Sequence, residues 1–168
     1  AYLAAAGAYR IGAGLVKLYT PKENLFAVQT LLPEAIMEIY NRERPTVKQL
    51  KQCMEWADAI VIGPGFGTDR MAEKILKYTI SKSKVPIVID ADGINILAKS
   101  KTCLLDKNAP LVLTPHIQEM SRLTGTAREE ILKDRMGAAK RFTDTYPVTL
   151  VLKDACTVVK KENERFYI

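Results

Sequence analysis

Apolar and polar positions along the chain follow two periods in alternation. Residues 59–62, 87–90, 111–113 and 148–152 are apolar at nearly every position, the length and composition of strands buried on both faces. Residues 15–19 and 35–40 are strand candidates of more mixed pattern. The stretches between them carry helical spacing: 2–10, about 20–32, 46–56, 70–82, 94–99, 117–123 and 126–143. Thr20-Pro21 reads as an N-cap with proline at the first helical position. Thr46 with Gln49, and Thr126 with Glu129, read as capping boxes. Gly12 and Gly14 close the first helix, and Gly125 closes the helix that starts at residue 117. Residues 157–168 read as a hairpin turning at Glu162-Asn163. No internal repeat, linker or low-complexity segment interrupts the alternation.

Uniformly apolar strands separated by helices mean βαβ units, hence an α/β fold of one domain with a mainly parallel sheet. Ligands of such sheets bind beyond the carboxyl ends of the strands. The segments that follow the four apolar strands are GPGFGTD, DADGIN, TPHIQE and KDACT. All four are expected along one edge of the sheet.

Each segment has a chemical and a purely structural reading. Glycines in Gly63-Pro64-Gly65-Phe66-Gly67 leave backbone amides open to a phosphate, or they make a tight strand-to-helix turn. The loop is neither GxGxxG nor a Walker A sequence. Asp90 and Asp92 are suited to a magnesium ion or a ligand hydroxyl, while Asp92 could equally cap the next helix. His116, the only histidine, stands at a strand exit with Glu119 one turn on. It is either a hydrogen-bonded structural residue or a catalyst, and its place in a loop favours the functional side. Lys153 ends an apolar strand, where its ammonium meets an anionic phosphate or snorkels to water.

Composition narrows the class. The chain is 48% hydrophobic and 26% charged, as in ordinary soluble globular proteins. No apolar run approaches the roughly 20 residues needed to cross a bilayer, and the opening residues do not read as a secretory leader. Cys53, Cys103 and Cys156 lack CxxC spacing, so neither a disulfide framework nor a zinc site is indicated, and the reducing cytoplasm is the expected compartment. The net charge of +6 is spread along predicted helices without interleaved aromatics, which argues against nucleic acid. The chain opens inside a helical pattern and closes on ERFYI without a stop signal, so an internal fragment of a larger domain is expected.

The order of these segments is more specific than any one of them. The succession GAGLVKLYTP, ADAIVIGPGFG, VIDADGINIL, LTPHIQEMSRLTG and VLKDACTVV closely resembles the ADP-dependent NAD(P)H-hydrate dehydratases, a metabolite-repair branch of the ribokinase-like superfamily, over essentially the whole chain. The resemblance implies a three-layer α/β/α sandwich. It also implies a lyase reaction in which (6S)-NAD(P)H hydrate is dehydrated to NAD(P)H while ADP goes to AMP and phosphate. The implied route is phosphorylation of the hydrate's hydroxyl and loss of phosphate, assisted by Mg2+. The hydrate is implied to contact the glycine loop, here Gly65 with Gly67, and His116. The adenine nucleotide is implied to lie on Lys153, Asp154, Ala155, Cys156 and Thr157. DADGIN corresponds to a DADALN signature, which sets Asp90 near metal and phosphate while Asp92 and Asn95 organise the turn. The partners implied are the hydrate and the nucleotide, in a homo-oligomer, with an epimerase domain fused in some parents.

Asp154 and Cys156 stand where the family commonly has glycine. A carboxylate beside a phosphate repels it unless Asp154 points away or shares a cation. The family's catalytic aspartate lies in a GSGD motif at a helix N-terminus, and no GSGD occurs in residues 1–168. The parent is therefore expected to be an enzyme, and this stretch alone an inactive one. Two alternatives stay open, a ribokinase-like small-molecule kinase and a nucleotide-binding module without catalysis.

Overall fold

The computed structural model describes residues 1–42 and 47–161 and the backbone of residues 164–167. Contacts divide the chain into two compact units, Ala1–Ala57 and Asp58–Ile168.

The first unit contains α1 (Tyr2–Arg10), β1 (Lys17–Pro21), a 3-10 turn (Lys22–Asn24), α2 (Leu25–Leu31), β2 (Ile36–Tyr40) and α3 (Val47–Trp56). β1 and β2 pair in parallel as a two-stranded sheet of their own, with Lys17 opposite Ile36 and Pro21 opposite Tyr40. Ala5 and Ala6 of α1 pack with Leu32 and Ala35, and Tyr2, Tyr9, Val16 and Leu18 close around them. Small side chains on α1 allow that close approach. Gly12 ends the helix as expected, at φ 97, its amide donating to the Tyr9 carbonyl at 3.0 Å. The helix expected from Thr20-Pro21 starts later. Pro21, at φ −58 and ψ 149, is extended and ends β1 instead, while Thr20 Oγ1 accepts from Asn24 Nδ2 at 2.8 Å. The expected capping residue Thr46 lies outside the described residues.

Tyr19 of β1 stacks on Tyr40 of β2 with ring centroids 4.6 Å apart, and its buried hydroxyl has no partner among the described residues. Burial, with Tyr40, Cys53 and Glu38 adding, pushes the phenol up to about 12. An unsatisfied buried hydroxyl costs about 1–3 kcal/mol, so Tyr19→Phe is expected to raise stability by about 1 kcal/mol. The raised phenol also contributes stability that is complete below its unfolded value of about 10 and lost as pH rises through about 12. Thermal melts across alkaline pH should show a flatter decline for Tyr19→Phe. A destabilised variant would mean that the hydroxyl is satisfied in solution.

The second unit runs β3 (Ile60–Ile62), α4 (Arg70–Lys82), β4 (Ile87–Ile89), α5 (Asp92–Lys99), a 3-10 turn (Lys101–Leu104), β5 (Leu111–Leu113), α6 (Ile117–Thr124), α7 (Arg128–Lys133), α8 (Arg135–Thr145), β6 (Thr149–Leu152), β7 (Val158–Lys161) and β8 (Glu164–Tyr167). The strands form one sheet in sequence order, parallel from β3 to β6 and antiparallel from β6 to β8. The chain is thus an α/β protein with a mainly parallel sheet. The expected hairpin exists as β7 and β8, and its turn at Glu162-Asn163 lies outside the described residues. Ile87, Ile89, Leu97 and Leu113 are fully buried, each contributing about 1.5–3 kcal/mol against exposure. Among the described residues no helix is long and apolar enough to cross a membrane. The three cysteines are free thiols.

Helix ends depart from expectation in two places. The capping box at Thr126 and Glu129 does not form: the N-cap of α7 is Ala127, without a side-chain bond, and the Thr126 amide donates to Thr124 Oγ1 at 3.1 Å. The long helix expected over 126–143 is two helices, because Asp134 (φ −144, ψ 70) leaves the helical region and caps α8, accepting from the Gly137 amide at 2.8 Å. A carboxylate three residues before a free amide competes well with helix continuation.

Candidate functional site

Because β3, β4, β5 and β6 are parallel, the residues after Ile62, Ile89, Leu113 and Leu152 leave the sheet at the same edge. Backbone bonds carry the pairing past the strands. The amide of Asp90 donates to the Ile62 carbonyl at 3.1 Å, that of Thr114 to Ile89 at 3.1 Å, and that of Lys153 to Pro115 at 2.8 Å. His116 and Lys153 face each other as an isolated parallel bridge. The strand exits that carry Gly65, Asp90, His116 and Lys153 therefore converge, as the strand order predicts.

The first two exits touch at backbone level. Gly63 has φ 122, and a Cβ there would lie 1.8 Å from the Asp90 carbonyl oxygen. A Cβ on Gly93 would sit 2.7 Å from Ile89 Cγ2 and 3.3 Å from Gly63 Cα. Only glycine fits at Gly63, whereas a methyl at Gly93 would have to displace the Ile89 side chain. In between, the Gly93 amide donates to the Asp90 carbonyl at 3.0 Å, closing a turn whose first central residue, Ala91, has φ 50 and ψ −120. That is the position of a type II′ turn that normally takes glycine. A side chain there stores about 1–3 kcal/mol of backbone strain. Asp92 follows. Its Oδ2 accepts from the Gly67 amide at 2.8 Å and not from its own helix, since the N-cap of α5 is Ala91 without a side-chain bond. The helix-capping alternative for Asp92 is thereby replaced by a bond to the neighbouring loop. Asn95, expected to shape the same turn, instead accepts from Arg122 Nη1 of α6 at 3.0 Å. Within GPGFG the Gly67 amide already has its acceptor, whereas Gly65, at φ 64, is exposed.

Charge at the site comes in matched pairs. Lys153 Nζ donates to Asp90 Oδ1 at 2.7 Å, both side chains partly exposed. Burial pushes the Asp90 carboxyl up, but hydrogen bonds from Lys153 and Thr114 and the lysine's charge outweigh it, leaving the group below the usual carboxylate range. Lys153 is thus neither a bare cation nor snorkelled away; it leans across the edge from β6 to β4. The question raised by Asp154 has a direct answer. It shares a cation: Arg135 Nη1, at the start of α8, donates to Asp154 Oδ2 at 2.9 Å. Ala155 and Cys156 are exposed and Thr157 half-buried, all before β7.

His116 is the N-cap of α6, with both halves of a capping box. Its Nδ1 accepts from the amides of Gln118 at 3.1 Å and Glu119 at 3.3 Å, while Glu119 Oε2 accepts from the His116 amide at 2.9 Å. Two amides aimed at Nδ1 leave the proton of the neutral ring on Nε2, which lies 3.5 Å from Glu119 Oε1. The imidazole is half exposed, so one residue both starts a helix and presents a ring at the site. Glu119 is buried at 5% exposure, its oxygens occupied by this cap.

Two contributors have no signal in the linear sequence. Arg135 lies in a helix and meets Asp154 only through the packing of α8, and Thr114 looks like an ordinary loop residue. No group of three or more His, Cys, Asp or Glu capable of holding a metal exists among the described residues. Asp90 is a single carboxylate with Lys153 on one of its oxygens.

Known proteins resemble the chain over its whole length. A family model described as NAD(P)H-hydrate dehydratase matches residues 1–168. The bifunctional NAD(P)H-hydrate repair enzyme Nnr of Escherichia coli (strain K12) is 39% identical over 152 residues, 90% of this chain and 28% of that protein. A ribokinase-like superfamily protein of Enterococcus faecalis V583 superposes with a TM-score of 0.83 at 27% identity, covering 99% of this chain and 56% of the other. The ADP/ATP-dependent NAD(P)H-hydrate dehydratase of Bacillus subtilis, co-crystallized with ATP/Mg2+ and soaked with CoA, superposes with a TM-score of 0.78 at 26% identity, covering 99% and 59%. The chain spans less than a third of the E. coli protein and under three fifths of these two structures. With glycine loop, histidine cap and terminal lysine on one sheet edge and the family model matched from end to end, the chain belongs to the NAD(P)H-hydrate dehydratase family.

Proposed function

We propose that this sheet edge repairs nicotinamide cofactor, dehydrating (6S)-NAD(P)H hydrate to NAD(P)H at the expense of an adenine nucleotide, with ADP going to AMP and phosphate. The observation that carries the reading is the bridge between His116 and Lys153, which sets a ring for one ligand beside a cation for the other. Gly65 supplies exposed backbone and His116 an Nε2 proton to the hydrate. Lys153 faces the nucleotide's phosphates, with the exposed residues 154–156 and half-buried Thr157 beside it. Transfer of a phosphoryl group to the hydrate's hydroxyl turns a poor leaving group into a good one. Loss of that phosphate and a ring proton restores the reduced nicotinamide, so the atoms balance. The base that takes the hydroxyl proton belongs to a GSGD motif in this reading. The residues described do not make a metal set, and magnesium is read as travelling with the nucleotide, as a hard cation that prefers phosphate oxygens. Assembly as a homo-oligomer and fusion to an epimerase domain belong to the same proposal.

The test is recovery of NADH absorbance from its hydrate, with ADP or ATP and magnesium, by the natural gene product. Nucleotide-dependent recovery supports the reading; recovery without nucleotide, or none, rejects it. His116 needs a variant that separates its two roles. His116→Asn keeps a good N-cap for α6, whereas His116→Ala gives up about 1 kcal/mol of capping. The expected result is a Tm close to wild type for His116→Asn, with kcat/KM for the hydrate lowered on the order of tenfold or more. Unchanged hydrate kinetics in His116→Asn would make His116 a cap and nothing else.

A further inference from the structure

The GPGFG loop is held at both ends. At Gly63 it is pressed against the Asp90 carbonyl so closely that a Cβ would lie 1.8 Å away. At Gly67 its amide donates to Asp92 Oδ2 at 2.8 Å, across 25 residues of sequence. Between these points stand Pro64, whose ring fixes φ, Gly65 and Phe66, whose amide donates back to the Gly63 carbonyl at 3.0 Å. Gly67 is not crowded: a Cβ there would meet nothing within 4 Å, yet φ is 80. Glycine is needed there for conformation alone, and the conformation is the one that gives its amide to Asp92. The carboxylate is aimed from the other side by Ala91 at φ 50, in a turn braced by Gly93.

We propose that Asp92 is a positioning residue that sets the GPGFG loop, and through it Gly65, for the hydrate; this rests on the functional reading above. The carboxylate neither caps α5 nor joins Asp90 and Lys153. Its neighbour in space is the loop of another strand exit. A charged acceptor on a backbone amide is stronger than a neutral one, and a five-residue loop pinned at each end has few ways to move. Freed at Gly67, the loop keeps the Gly63 contact and loses the fixed placement of Gly65. A displacement of about 1 Å at a contact made to a substrate can cost 100-fold in rate.

The experiment uses the natural gene product, with steady-state kinetics in both ligands and amide hydrogen exchange of the loop without ligand. Asp92→Ala is expected to raise the KM for hydrate on the order of tenfold, with the nucleotide KM changed less than about twofold. Exchange at the Gly67 amide is expected to quicken on the order of tenfold or more. Asp92→Asn keeps an oxygen acceptor and should recover most of both effects, which loss of a first-turn charge alone would not allow. If Asp92→Ala does not fold, Asp92→Ser, whose hydroxyl is too short to reach Gly67, takes its place. Equal rises in both KM values, or exchange at Gly67 unchanged, overturn the proposal. If the wild-type protein turns over no hydrate, the functional reading fails and Gly67 exchange alone decides: faster exchange in Asp92→Ala upholds the tie, and unchanged exchange removes it.

Discussion

Gly63→Ala is expected to destabilise the protein by about 3–5 kcal/mol, adding a backbone conformation that L-residues avoid to an overpacked contact. Its φ is 122, and the new methyl would lie 1.8 Å from the Asp90 carbonyl oxygen and 2.9 Å from the Gly93 amide nitrogen. Those neighbours are backbone atoms tied to β4 and α5, so they cannot swing aside as a flexible side chain would. Gly125→Ala is the matched control. It too has positive φ, 77, but nothing lies within 4 Å of the added methyl. There the cost is the left-handed conformation alone, about 1–2 kcal/mol. Urea denaturation of both variants separates strain from collision. Equal losses would mean that the two strand exits are not in contact in solution.

That contrast shows what the linear sequence could and could not tell. The strand exits were legible because a buried parallel strand is a short apolar run, and an apolar run ends where the site begins. The edge carrying Gly65, Asp90, His116 and Lys153 follows from this rule and the strand order. The roles within it were less accessible, since the reach of a side chain depends on the turn beneath it. Asp92 read equally well as a metal ligand or a helix cap. Its carboxylate bonds the neighbouring loop and not its own helix, because the positive φ of Ala91 turns it toward Gly67, and nothing in an alanine announces positive φ. His116 as the cap of α6 is hidden for a similar reason: Ser, Thr, Asp and Asn are the residues that usually occupy that position, although the glutamate of the box stands three residues on. The Thr126 box had the right letters and did not form. Asp134 broke the helix through a local bond to Gly137 that spacing alone does not reveal. The departure at Asp154 is answered by Arg135, a partner 19 residues away.

Paired charge also explains how this sheet edge can keep its carboxylates. Asp90 and Asp154 each hold a cation, Lys153 and Arg135, so the edge carries two neutral pairs in place of two repelling acids. On the proposed function, a phosphate arriving at Lys153 would compete with Asp90 for the same ammonium. The lysine can lean toward either anion without leaving the site, because its stem is long and its donors rotate.

Lys153→Ala is expected to raise the nucleotide KM about 10- to 100-fold, the loss of one charge-assisted hydrogen bond worth about 1.5–3 kcal/mol, while the hydrate KM moves by no more than a few-fold. The variant also exposes what the pair does for Asp90. In the wild type the carboxyl titrates below its unfolded counterpart, held there against burial by Lys153 and Thr114. The ionised pair therefore contributes stability that is present above the unfolded pKa and is lost as pH falls through the folded one. Without the lysine, burial is the largest remaining influence and pushes the carboxyl upward. Thermal melts from neutral pH downward should then show Lys153→Ala losing stability at a higher pH than wild type. Thr114→Val, which removes only the lesser hydrogen bond, should fall between them. The kinetic and acid effects are independent readouts of one contact. A shifted acid limb with an unchanged nucleotide KM would leave the ion pair standing and remove Lys153 from the nucleotide. A rise in the hydrate KM with the nucleotide KM unmoved would reverse the order of the two ligands along the edge, and the segment from Asp154 to Thr157 would then face the hydrate.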